Sequence, residues 1–198
     1  KNSKKDKLKV EKGLNQFIWN MTYDGAEKLN GMILWWASLA GPQAIPGDYK
    51  VQLSVKNLDS SKENNEALTL AKDFKLLADP RAESTQADMQ KQFDFVNQVN
   101  KTMDNAHKSI KKIRNINKQL KSFENQYKDD ENVKELIEKS KTLRKEFTKI
   151  EEALYQTKNR SGQDPLNFPI RLTNKLGHLN ALVTMGDFAP TDQDVAVK

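Results

Sequence analysis

The stretch SGQDPLNFPIRLTNKLGHLN, residues 161–180, gathers the side chains of a serine hydrolase: Ser161, Asp164 and His178, one of two histidines in the chain. Nucleophilic catalysis needs more than three residue types. The serine must sit on a sharp elbow, with an imidazole in reach and an oxyanion hole beside it; the α/β-hydrolase elbow reads G-x-S-x-G. Ser161 stands in NRSGQ, with no glycine before it and no buried strand leading in. His178 falls inside a helical pattern one turn after Asn174, where a surface or interhelical histidine is the plainer expectation. Gly162 suits the position just past a helix end, Asp164-Pro165 a turn, and Pro169 a stop before the next helix. Phe168 and Ile170 are expected to plug the end of a bundle. The stretch reads as a connector.

Other chemistries are no better furnished. His107 lies among Lys101, Lys108 and Lys111, a poor setting for a metal ion. The chain has no H-E-x-x-H, no Walker A and no G-x-G-x-x-G. Asp129-Asp130-Glu131 and Asp192/Asp194 fit no EF-hand loop and read as helix-start charges. No catalytic residue, metal ligand or cofactor is assigned. With zero cysteines, disulfides and thiolate chemistry are excluded.

Two features remain as binding candidates. Trp35 and Trp36 are adjacent, so in a strand they point to opposite faces. One can be core while the other stacks on a sugar ring or anchors a neighbouring domain; packing is the favoured expectation and carbohydrate the alternative. KSIKKIRNINKQLKS, residues 108–122, puts Lys108, Lys111 and Lys118 opposite Ile110, Ile113 and Leu120. Phosphate binding is conceivable there. The following helix carries matching acids at Glu135, Glu138, Glu146, Glu151 and Glu152, and no aromatics interleave to stack bases, so a solvated face is expected and nucleic acid ranks behind protein partners.

Charge supports the same order. The net charge of +6 is concentrated in residues 1–12, where six lysines against Asp6 and Glu11 give +4. This is a basic tail on a nearly neutral body. Mean hydropathy is −0.82 and 30% of residues are charged, so long helices must be solvated on one side. No run of 18 apolar residues exists, so no transmembrane segment is expected. The Lys-rich lead lacks the apolar stretch of a signal peptide. Without an initiator Met, the chain is expected to be a piece of a longer or processed protein.

The elements that must position these residues change style near residue 79. Before it, GLNQFIWNMTY (Leu14, Phe17, Trp19, Met21) and GMILWWASL (31–39) are predicted strands. Tyr49, Val51, Leu53 and Val55 alternate strictly in a third, KNLDSSKENNE is a polar hairpin loop, and 67–79 is the return strand. Short strands between Gly/Pro turns predict a partial immunoglobulin-like β-sandwich over residues 1–79, with the missing strands upstream.

Residues 80–198 are predicted to form an antiparallel helical bundle. Pro80 breaks the chain and Ser84 or Thr85 offers an N-cap. Helix one runs from about 85 to 123 on a stripe from Met89 to Phe123, and helix two from about 130 to 157 on Val133, Leu136, Ile137, Leu143, Phe147, Ile150 and Leu154. Helix three uses Leu172, Leu176, Leu179, Leu182 and Val183. Thr191, three residues before Asp194, marks the start of a fourth, truncated helix. The fold class is therefore α+β: a partial sandwich, then three long helices and part of a fourth.

Several blocks together resemble the C-terminal region of bacterial BNR-repeat, sortilin-like glycosyl hydrolases: GLNQFIWNMTYDG, GPQAIPGDYKVQLSV, LADPR followed by TQADMQKQFDFVNQV, and SGQDPLNFPIRLTNKLGHLN with APTDQD. Their order and spacing agree over most of residues 13–194. The resemblance implies a long secreted or periplasmic protein with a β-propeller first, then an immunoglobulin-like domain, then a helical bundle. Any hydrolytic site would belong to the propeller. No Asp-box (S-x-D-x-G-x-T-W) occurs in this chain, so no catalytic residue carries over. The function expected is a non-catalytic accessory module packing beside the propeller, with Trp19, Trp35, Trp36 and Tyr49 as anchors; a homo-oligomer is the other partner considered.

Overall fold

The computed structural model describes residues 10–55 and 68–197. The Lys-rich lead and the expected hairpin loop lie outside the described residues. The fold is α+β; the described residues form one two-stranded antiparallel sheet and four α-helices: β1 (Gly47–Val55), β2 (Leu68–Leu76), α1 (Gln86–Gln126), α2 (Lys134–Leu154), α3 (Leu172–Val183) and α4 (Asp192–Val197).

The clearest alternation in the sequence became a strand. β1 and β2 pair in a register that sets Tyr49 against Phe74, Val51 against Lys72 and Leu53 against Leu70. Side chains alternate across a strand, so these share one face. The other face is polar: Lys50 meets Asp73 at 3.6 Å and the Ser54 and Thr69 hydroxyls lie 3.4 Å apart.

The two earlier predicted strands are not strands. Residues 14–20 have no regular structure and are exposed, and the backbone at Met21 turns left-handed, with φ 59°. Residues 31–39 form no ladder either. Instead, residues 21–44 make a wide loop whose two legs run antiparallel. Ala44 N–H bonds Met21 C=O at 2.7 Å, Tyr23 N–H bonds Pro42 C=O at 2.9 Å, and Ala26 N–H bonds Leu39 C=O at 2.8 Å. The legs approach this closely because Gly25 and Gly41 face each other's backbone. A Cβ on Gly25 would lie 1.9 Å from the Leu39 carbonyl oxygen, and one on Gly41 2.1 Å from that of Tyr23. Among the described residues the sheet therefore stops at two strands, and no sandwich is formed.

The helices follow their stripes. Thr85, not Ser84, caps α1 in a reciprocal box: its hydroxyl accepts from the Asp88 N–H while the Asp88 carboxylate accepts from the Thr85 N–H. At 41 residues α1 is about 60 Å long. A 3₁₀ turn, Glu131–Val133, capped by Asp130, precedes α2. Thr191 and Asp194 form a second capping box at α4.

The core takes residues from both sides of the expected boundary at residue 79. Phe95, Val96, Val99 and Met103 of α1 pack on Leu176, Leu179 and Val183 of α3, with Ala26 and Leu39 of the loop against them. Leu29 and Met32 pack on Ile110 and Tyr155 beside Leu154. Farther along, α1 and α2 meet through charge: Arg114 pairs with Glu151 at 2.7 Å and Arg144 with Glu124 at 2.6 Å. Among the described residues no helix is long and apolar enough to cross a membrane.

Candidate functional site

The wide loop has few backbone partners of its own, so the helices supply them. Orphaned amides and carbonyls are costly away from water, and three buried asparagines meet that demand. Asn174 on α3 accepts from the Trp35 N–H at 2.8 Å and donates to the Trp35 C=O at 2.9 Å. Asn180, one and a half turns on, donates to the carbonyls of Ser38 and Ala40. Asn100 on α1 donates to Ala40 as well. The Ser38 N–H reaches the Gly177 carbonyl at 2.8 Å, and the Tyr155 hydroxyl accepts from Ile33 N–H at 2.9 Å.

At the other leg, Asp104 accepts from the Glu27 N–H at 2.7 Å, and Lys111 closes an ion pair onto the Glu27 carboxylate. His107, fully buried, donates from Nδ1 to the Glu27 carbonyl at 2.6 Å and leaves Nε2 without a partner. Burial pushes its pKa below the ordinary 6.5, against the carbonyl and Asp104, which favour the charged form. A neutral His107 is a loop anchor.

The clamp displays Trp36. Its neighbour Trp35 is half-buried, whereas Trp36 is 75% exposed with a left-handed backbone, φ 48°. That conformation costs a non-glycine residue about 1–2 kcal/mol, so it persists only because the loop is held on both sides. The two indoles stand 6.3 Å apart and 57° from coplanar, which makes no flat platform for a sugar.

Trp19, by contrast, sits on the hairpin, 5.6 Å from the Tyr49 ring and 6.2 Å from Phe74. The Tyr49 hydroxyl donates to the Ile45 carbonyl, and Tyr23 packs edge-on to Phe93 of α1. Aromatics thus moor the base of the hairpin. Beyond them its apolar face is open among the described residues: Val51, Leu53, Val55 and Leu70 are 49–58% exposed.

The hydrolase constellation does not assemble. The Ser161 hydroxyl donates to Asp164 at 3.0 Å, and the same carboxylate takes the backbone N–H groups of Arg160 and Ser161. These bonds hold Asp164 below the usual carboxylate range. It organises the connector, and among the described residues no hydrogen bond ties His178 to either. A cleft of about 240 Å³ between the hairpin base and α1 holds Asp79 and Asp187, but Arg81 occupies the Asp79 carboxylate at 2.7 Å. Lys108, Lys111 and Lys118 are exposed on α1, with Lys111 committed to Glu27.

The asparagine clamp was the feature missed in sequence. Its signal was present: asparagine is a poor helix-interior residue because its side chain competes for backbone groups, so Asn100, Asn174 and Asn180 each wanted a reason. No family model, no curated protein and no solved structure matches this chain.

Proposed function

We propose that this chain is a non-catalytic interaction module that docks through the apolar face of its β1–β2 hairpin onto a neighbouring β-domain of the same, longer polypeptide. The observation that carries the reading is the open face itself. A two-stranded hairpin is marginal in water without a third strand or a packed face. This one has a polar face in cross-strand pairs and, among the described residues, an apolar face packed by Trp19 at one end and open beyond it. Such a surface is half of a sandwich, and an immunoglobulin-like domain completed by strands from outside these residues would cover it.

The resemblance to the C-terminal region of BNR-repeat, sortilin-like glycosyl hydrolases supports the same arrangement. It supplies an upstream β-propeller as the further neighbour and a periplasmic or extracellular setting. A carbohydrate-binding role rests on Trp36 alone, since Trp35 is tilted away from it.

The test is intact mass spectrometry of the native protein purified from its own cell. A mass far above that of 198 residues supports the reading, and a mass matching them overturns it.

A further inference from the structure

Helix α2 carries more apolar surface than α1 covers. Ile137, Ser140 and Glu151 are buried. Leu136, Leu143 and Ile150 are 53%, 45% and 50% exposed. These three recur every seven residues, a spacing that drifts only about 20° per step on a straight helix, so they lie in one seam. Three residues after the first and second come Lys139 and Glu146, on the same side.

Read in order, the seam is Leu136, Lys139, Leu143, Glu146, Ile150. Read backwards, the order of residue kinds is the same with the charges exchanged, and the spacing differs by one residue at each charge. In a two-fold contact residue i meets j while j meets i. A two-fold axis through Leu143 sets Leu143 on its own counterpart and Leu136 on Ile150 of the second copy, and it brings Lys139 within one residue, about 1.5 Å of helical rise, of Glu146. Glu135 and Lys149, just beside the seam, come within two residues, about 3 Å of rise, of each other as well. Each of these four charges lies near its opposite. A parallel arrangement would set each beside its like, which is repulsive.

We infer that α2 is the surface through which two copies of this chain associate, antiparallel and side by side. In the single chain these charges pair along their own helix, Lys139 with Glu135 at 2.6 Å and Lys149 with Glu146 at 2.8 Å. Such exposed pairs contribute little alone and remain free to join a partner's. Association draws each into a network of four charges beside the apolar seam. The seam offers five residues per copy where a stable interface uses roughly 20–30 a side, so the dimer is weak, with a Kd on the order of 100 μM.

The chain has no cysteine, so introduced thiols report geometry without background. Under mild oxidation Leu143→Cys is expected to form a covalent dimer. Leu136→Cys alone is not, but an equimolar mixture with Ile150→Cys is expected to give the mixed dimer. In sedimentation equilibrium, Lys139→Glu should weaken association about tenfold, and Lys139→Glu with Glu146→Lys should restore it, each variant retaining its helical circular dichroism. A chain that stays monomeric up to about 1 mM, Leu136→Cys linking to itself, or a double variant as weak as the single one would overturn the inference.

Discussion

Asn174 and Trp35 are joined by two hydrogen bonds, at 2.8 and 2.9 Å, in which one side-chain amide takes both the N–H and the C=O of a residue 139 positions away. The pairing imitates a sheet partner. It lets an extended, unladdered segment lie against a helix without orphaning its backbone.

Removing that amide should therefore cost more than its volume suggests. Asn174→Ala leaves the N–H and C=O of Trp35 unpaired, for an expected loss of about 1–3 kcal/mol in urea unfolding. Asn174→Asp keeps the acceptor and loses the donor, and should be destabilised too. An Asn174→Ala chain within about 0.5 kcal/mol of the parent would show that the loop is not held there.

Gly177 sets how closely the loop lies on α3. A Cβ at this position would meet Ala37 Cβ at 2.8 Å and the Ser38 carbonyl oxygen at 3.3 Å. Elsewhere in a helix Gly→Ala is worth about 1 kcal/mol of added stability. Here it is expected to destabilise. Gly177→Ala combined with Ala37→Gly should recover part of the loss, which a double-mutant cycle in denaturant measures. Strict additivity would place the clash elsewhere.

His107 makes stability depend on pH. Its folded pKa lies below 6.5 because burial disfavours the imidazolium. The unfolded chain therefore binds a proton first as pH falls. The group's contribution is complete above the unfolded value and is lost as pH drops through the folded one. Melting temperature should fall between pH 7 and 5.5. His107→Gln, less stable at pH 7, should show a smaller fall over that interval, and an equal slope in both chains would exclude His107 as the source.

Much of this fold was legible. The helices announced themselves through stripes such as Met89–Phe123 and through Thr85 and Thr191, whose boxes are local, and the hairpin through the alternation at Tyr49–Val55. GMILWWASL was illegible for a physical reason. An unbroken apolar run reads as a buried strand, and this one lies mostly half-buried without a ladder, its backbone bonded by side chains 122 to 142 residues distant. Seven-residue spacing showed that Leu136, Leu143 and Ile150 were in line, but not that α1 leaves them uncovered. Trp35 and Trp36 were visible as candidates; the left-handed turn between loop and solvent that parts them was not.

The hairpin face should be silent in the isolated chain. Leu53→Thr and Leu70→Thr change side chains that are already half exposed, so each should shift unfolding by no more than about 0.5 kcal/mol. A larger loss would mean that this face is already packed.

Amide hydrogen exchange of β1 and β2, in this chain and in the native protein from its cell, bears most directly on docking through that face. In the chain alone the hairpin's amides should exchange far faster than those of α1 around Val96–Met103, which lie in the core. In the native protein they should become protected to the level of that core. Equal, fast exchange in both would contradict docking through the hairpin.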